Sequence, residues 1–248
     1  MAWKIRLGLN KGKRAIRNLS VILWTVFSGL VYGGMAFLAG IFSRRLGQSI
    51  ARLWARHLLF MAGVTLTVKG MTGIDRKAGY VFVANHQSHF DIPVLFAGIG
   101  MALSFIAKKE LFSIPIFGWG MASIGCIGID RKNPRKARAS ITKAVNLLKK
   151  DNLSLVLFPE GTRSLSGKVG EFKRGSFTLA LEAGVPVVPV TIFGTGEIHR
   201  KASHEIRPGA VTIIIGRPIP AEEVQKLGKE ELSVTIRKII VTEVGKGR

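Results

Sequence analysis

From Leu19 to Phe42 the chain runs 24 positions without a charged residue. A straight helix of that length would reach about 36 Å, enough for the hydrocarbon core of a bilayer. Basic residues crowd both ends: Lys4, Arg6, Lys11, Lys13, Arg14 and Arg17 precede it, and Arg44, Arg45, Arg52 and Arg56 come after it. A spanning helix is oriented by one basic flank. Two such flanks favour a helical pair that enters one leaflet and returns, with Lys and Arg at anionic headgroups on the same side. Gly29, Gly33, Gly34 and Gly40 weaken helix continuity and would permit a bend near Gly33-Gly34. A cleaved signal fits less well, because the run exceeds the about 7–15 residues of a usual signal core and is followed by Arg44-Arg45.

The 248 residues can bury one sizeable core, or one core plus an appendage. Of the net charge of +22, 11 units come from the first 74 residues, which hold no Asp or Glu. That region is chemically distinct from the remainder of the chain. A single cysteine, Cys126, excludes an internal disulfide and suits a reducing compartment.

After Arg56 the pattern becomes α/β. Apolar strands are expected at Val64–Val68, Tyr80–Ala84, Leu103–Ala107, Ile124–Ile129, Leu153–Phe158, Val187–Ile192 and Val211–Ile215. Helical stretches intervene. The clearest has Asn133 as cap and Pro134 at its first position. It carries Ala137, Ile141, Ala144, Val145 and Leu148 on one face and ends at Lys149-Lys150. Others cover Arg174 to Glu182, stopping at Gly184, and Glu230 to Val244. The expected fold is therefore α/β: a mixed, roughly seven-stranded sheet flanked by helices, with an amino-terminal membrane-inserting helical pair. The division is residues 1–60 for the anchor and 61–248 for the α/β domain.

Two polar runs lie at strand ends. Asn85-His86-Gln87-Ser88-His89-Phe90-Asp91 leaves one, and Phe158-Pro159-Glu160-Gly161-Thr162-Arg163-Ser164 leaves the other. Pro93 suits the first turn of a helix, so Asp91 falls near a helix N-terminus, five residues from His86. Asp91 can then orient the imidazole, leaving the other ring nitrogen to remove a proton. Ser88 lacks the strained setting of a serine nucleophile, and Cys126 sits in an apolar stretch that favours an inert thiol. The group left for His86 to activate is a hydroxyl on the substrate. In the second run Gly161 allows close backbone approach, and the Arg163 guanidinium is a fork matched to phosphate. His89 reads as a solvated or locally bonded histidine. His86, His89 and Asp91 imitate a metal site but have no further cluster, so no metal is expected.

From Gly79 to Val190 the chain resembles the glycerolipid acyltransferases of the 1-acyl-glycerol-3-phosphate acyltransferase type. Four motifs match in order: His86 to Asp91 (His-x4-Asp), Gly125 to Arg131, Phe158 to Ser164 (Phe-Pro-Glu-Gly-Thr-Arg-Ser) and Val185 to Val190. Gly128 departs from the pattern, falling where many relatives have an aromatic residue. The resemblance implies that His86 and Asp91 are catalytic and that Lys108, Arg131, Glu160, Gly161, Thr162 and Arg163 bind the acceptor.

The reaction expected from these residues and the resemblance is acyl transfer from acyl-ACP or acyl-CoA to the free hydroxyl of lysophosphatidic acid, giving phosphatidic acid. No cofactor is called for. The oxyanion donors are expected near the Gly161 turn or the helix after Asp91. An anionic phospholipid membrane is the expected partner, the active site facing the cytoplasm, with no nucleic acid; oligomeric state is left open. Within the family the alternatives are glycerol-3-phosphate or another lysophospholipid as acceptor. Outside it stand a thioester hydrolase and a non-catalytic basic protein binding membrane or nucleic acid through Arg131 to Arg138. Phe105, Ile114, Phe117, Trp119 and Met121 are candidate walls of an apolar tunnel.

Overall fold

The computed structural model describes residues 11–130, 133–151 and 153–246. It opens with two helices, α1 (Lys11–Phe42) and α2 (Arg44–Ala62), joined only by the extended Ser43. They lie antiparallel: Gly40 meets Gly47 near the reversal, and Tyr32 reaches His57 further along. The bend that Gly33-Gly34 would permit is not used: α1 runs as one helix through both glycines. Their role is close packing. A Cβ at Gly33 would sit 3.3 Å from the Phe117 Cα, and one at Gly120 would sit 2.4 Å from the Gly33 carbonyl oxygen.

The α/β part comes next: β1 (Val64–Lys69), β2 (Val81–Ala84), α3 (Asp91–Ile99), β3 (Leu103–Lys108), α4 (Phe117–Ser123), β4 (Ile127–Ile129), α5 (Pro134–Asp151) and β5 (Ser154–Leu157). The chain continues through α6 (Phe177–Ala183), β6 (Val187–Phe193), α7 (Thr195–Ile198), β7 (Gly209–Ile215) and α8 (Ala221–Lys246). All seven expected strands form. The fourth is shorter than its apolar run because Gly125, at φ 93°, turns the chain before Ile127. As expected, Asn133 caps α5, its Oδ1 accepting the Lys136 N–H at 3.0 Å. Gly184 ends α6 at φ 64°, a left-handed position that glycine fills at little cost.

Strand order is β1-β7-β6-β2-β5-β3-β4, parallel throughout except for the antiparallel β6–β7 pair. The sheet is thus mixed, as expected. Pro189 is tolerated in β6 because the pairing with β7 begins one residue later, at Val190.

Both faces are covered, which is why β2 and β5 read as unbroken apolar runs. On one face Phe82 and Ala84 pack with α2 and α3. On the other, Val81 and Val83 pack with α5, α6 and the α8 residues Leu232, Ile236 and Ile240. β2, β5 and β3 are adjacent and parallel, so the segments leaving them emerge on one edge, where ligands of such sheets collect.

Candidate active site

The β2 strand ends in a side chain that continues its ladder. Asn85 Nδ2 donates to the Ile192 carbonyl at 2.9 Å, and its Oδ1 accepts the Ile192 N–H at 2.8 Å. Asn85 is fully buried, so this pairing fixes the exit of the next residue, His86. Sequence reasoning assigned Asn85 no role. A polar residue directly after a buried strand was the available signal.

His86 Nδ1 lies 2.7 Å from Asp91 Oδ2. The same oxygen accepts the backbone N–H groups of Gln87 at 2.8 Å and Ser88 at 3.0 Å. Asp91 opens α3 and is fully buried, while the His86 side chain remains 17% exposed. Two backbone N–H groups and the ring nitrogen thus converge on one carboxylate oxygen at the start of a helix. Asp91 then accepts from Nδ1–H, leaving Nε2 as the basic nitrogen. The imidazole is stacked on Phe158, centroids 4.2 Å apart, so the second polar run supports the ring as well as facing it.

Glu160 joins the two runs. Its Oε1 accepts the His86 N–H at 2.7 Å and its Oε2 the Gly170 N–H at 2.9 Å. Burial pushes its carboxyl above the ordinary value, against the two N–H donors and His86 that hold it down. Both oxygens are occupied by backbone, which makes Glu160 a brace under the base; the resemblance implied an acceptor contact. Arg237 of α8 buttresses the same loop, donating from Nε to the Gly170 carbonyl at 2.9 Å. Ser164 N–H closes the other side onto the His86 carbonyl at 2.9 Å. Lys201 Nζ reaches Thr162 Oγ1 at 3.0 Å and the Arg163 carbonyl at 2.9 Å. Lys201 and Arg237 carry no pattern that would have marked them beforehand.

Arg163 is half-buried on the same edge, and its Nη1 is a buried donor without a partner among the described residues. Burial lowers its pKa while the Asp91 charge raises it. Lys108 ends β3, exposed on this edge. Arg131 lies outside the described residues. Gly161, at φ 69°, turns its N–H back onto the Phe158 carbonyl at 3.0 Å, so this N–H is not aimed at an incoming oxyanion.

Neither protein nucleophile is free to react. Ser88 Oγ donates to the His199 carbonyl at 2.8 Å and accepts the Phe90 N–H at 3.2 Å. Desolvation pushes the buried Cys126 thiol up to about 11. At Gly128, a Cβ would meet the Phe112 ring at 3.0 Å. A ring supplied from residue 112 thus fills space beside the position where many relatives carry an aromatic side chain.

An apolar cavity of about 530 Å³ opens beneath α1 and α2, and His89 and His199 are among its lining residues. Its walls include Phe105, Ile114, Phe117 and Met121 among the expected residues. Trp119 instead stands half exposed against Phe37.

Comparison with known proteins settles the lineage. The acyltransferase family model matches residues 65–193, which spans His86, Asp91, Glu160 and Arg163. The chain belongs to the acyltransferase family. Among characterised acyltransferases it is 38% identical over 180 residues to a chloroplastic 1-acyl-sn-glycerol-3-phosphate acyltransferase of Brassica napus, with 72% of this chain aligned. It spans only about half, 52%, of that relative's length. A 1-acyl-sn-glycerol-3-phosphate acyltransferase of Pseudomonas aeruginosa is 33% identical over 84% of this chain and 82% of its own. The crystal structure of the 1-acyl-sn-glycerophosphate (LPA) acyltransferase PlsC of Thermotoga maritima superposes with a TM-score of 0.83 at 27% identity, covering 95% of this chain and 96% of that one.

Proposed function

We propose that this acyltransferase moves a fatty acyl group from a thioester donor, acyl-ACP or acyl-CoA, to the free sn-2 hydroxyl of lysophosphatidic acid. The observation that carries the reading is one juxtaposition: an Asp91-oriented His86 and a partly unpartnered Arg163 share the polar sheet edge, and a large apolar cavity opens close by. His86 Nε2 removes the hydroxyl proton as the oxygen attacks the thioester carbonyl, then returns it to the leaving thiolate. With Ser88 engaged and Cys126 buried and protonated, transfer is direct. Arg163, helped by Lys108, holds the phosphate. General-base catalysis of this kind contributes about 10²–10⁴-fold.

Membrane association is part of the same proposal. One described helix, Gly12–Phe42, is long and apolar enough to cross a bilayer. Its packing supports lying in one leaflet. Arg17 donates to the Ile206 carbonyl near one end, Gly33 abuts α4 midway, and Ser123 Oγ donates to the Ala36 carbonyl at 3.0 Å towards the other. A helix held along the α/β body cannot cross while the body stays in water. Its outer face presents Leu19, Leu23, Phe27, Leu38 and Phe42. The active site then faces the cytoplasm beside an anionic lipid surface.

An acyl-transfer assay in vesicles, with labelled acyl-CoA or acyl-ACP and a panel of glycerol acceptors, tests the proposal. Labelled phosphatidic acid is the expected product. Free fatty acid formed at the same rate without acceptor would make the protein a thioester hydrolase. Transfer only to glycerol-3-phosphate or to a lysophospholipid with a headgroup would move the acceptor assignment.

A further inference from the structure

His89 and His199 lie 110 residues apart in the chain, yet their rings stack with centroids 5.9 Å apart and 26° between planes. The pairing is built. Ser88, one residue before His89, donates from Oγ to the His199 carbonyl at 2.8 Å, and the Phe90 ring packs on the His199 ring at 6.3 Å. Both histidines line the apolar cavity, and His199 Nδ1 is buried with no hydrogen-bond partner among the described residues. Nothing in the general-base mechanism uses them. Lys201, two residues after His199, donates to the Arg163 carbonyl at 2.9 Å, so the connection that carries His199 is tied to the one that carries Arg163, and the Arg163 charge acts on both rings.

We infer that His89 and His199 complete the phosphate receptor with Arg163 and take up a proton as a phosphomonoester dianion binds, so that the site selects that headgroup over neutral or singly charged ones. The inference rests on the acceptor reading above and extends it to two residues the family motifs leave unassigned.

The charges facing the pair explain how this works. His89 feels Arg163 from the loop after β5, His86 and Asp91 from the β2–α3 connection, and His199. His199 feels Arg163 and His204, while the Ser203 backbone holds its pKa up. Lys201 is tied to the Arg163 carbonyl, and Arg17 of α1 to the Ile206 carbonyl. Desolvation first, then Arg163 and the neighbouring histidines against Asp91, push His89 down to about 4; His199 is also lowered, chiefly by burial. Both rings are therefore neutral near pH 7 in the free protein; the His199 ring is already engaged with the Ser203 backbone, and its Nδ1, without a partner among the described residues, is a position an added proton can fill. A dianion beside them reverses the field. It neutralises Arg163 and leaves one negative charge over, which favours an imidazolium whose proton comes from solvent. A neutral headgroup supplies no such field.

The test has two arms. In the first, ring NMR titrations of wild-type protein are run with and without inorganic phosphate. For the dianion to charge this ring at pH 7, phosphate must carry the His89 midpoint from about 4 to about 7 or above. A His89 midpoint that stays below about 6 at saturating phosphate overturns the proposal, whatever the enzyme's true acceptor. In the second arm, Michaelis constants for lysophosphatidic acid and for neutral monoacylglycerol are compared in wild type, His89→Gln and His199→Gln. The variants should raise the first constant about tenfold or more at pH 7 and leave the second within about twofold, as expected for a lost charge-assisted bond. The wild-type advantage should fade as pH rises, because the bound imidazolium deprotonates. Equal losses on both acceptors, or none on lysophosphatidic acid, overturn the inference. Absence of any wild-type transfer to a phosphorylated acceptor would sink the acceptor reading instead, with the NMR arm still deciding on the pair.

Discussion

Glu160→Gln separates bracing of the base from contact with substrate. The carboxylate accepts two backbone N–H groups, from His86 at 2.7 Å and from Gly170 at 2.9 Å, in a site that leaves the residue 6% exposed. A glutamine amide has one acceptor oxygen and one NH2 group. Whichever way it turns, one of those N–H groups faces another donor. Losing a charge-assisted bond costs about 1.5–3 kcal/mol, and stranding a buried donor about 1–3 kcal/mol. Relaxation of the loop recovers part, so a net loss of about 2–4 kcal/mol is expected. For a chain of this size each kcal/mol moves Tm by about 2–4 °C, giving a drop of roughly 4–16 °C. Because His86 carries one of the two N–H groups, its ring should also shift, and a displacement near 1 Å costs about 10²-fold. Steady-state thiol release should therefore show kcat down about 10–100-fold with the acceptor KM within about threefold. A variant with normal kcat, normal Tm and a raised acceptor KM would refute the brace and return Glu160 to the acceptor.

Asp91→Asn should lower kcat by about 10²-fold or more, because an amide oxygen in the place of Oδ2 can still accept from His86, Gln87 and Ser88 but carries no charge to orient the ring and stabilise the imidazolium formed as His86 takes the proton; a pH–rate profile checks it. Arg163→Ala should raise the acceptor KM about ten- to a hundredfold, with Arg163→Lys recovering only part; a change confined to the thioester constant would move Arg163 to the donor side. Between about pH 4 and 6.5 the unfolded chain binds the His89 proton and the folded one does not. Stability should therefore rise with pH across that window, and the rise should flatten in His89→Gln when urea midpoints are compared.

The strands were legible because both faces of the sheet are covered and each strand is a short apolar run bounded by polar turns. The contact between His86 and Asp91 was legible because five residues separate them across one strand-to-helix connection. What sequence missed arises across the fold. His199 meets His89, Arg237 meets Gly170 and Lys201 meets Thr162 only once separate connections have converged. The continuity of α1 has the same origin. Gly33 and Gly34 lower helix propensity when α1 is considered alone, yet in the fold they are what lets α4 approach its backbone, so tertiary packing outweighs local preference.

The connection from β2 to α3 serves two opposite environments at once. Its backbone and Asp91 hold the base on the polar edge, while the Phe90 and His89 side chains line the cavity. A chain lodged in that cavity therefore approaches the edge that carries His86 and Arg163, where the proposed mechanism needs its headgroup. The cavity is roofed by one face of α1, through Ile22, Val26, Gly29 and Gly33 among others, and the outer face of the same helix is apolar and exposed. One helix diameter, about 10 Å, thus separates the cavity from the surface offered to lipid, a depth comparable to the burial of an interfacial helix. A lipid acceptor entering along α1 would keep its chain in apolar surroundings throughout, and only its phosphate and hydroxyl would need to reach the wet edge of the sheet.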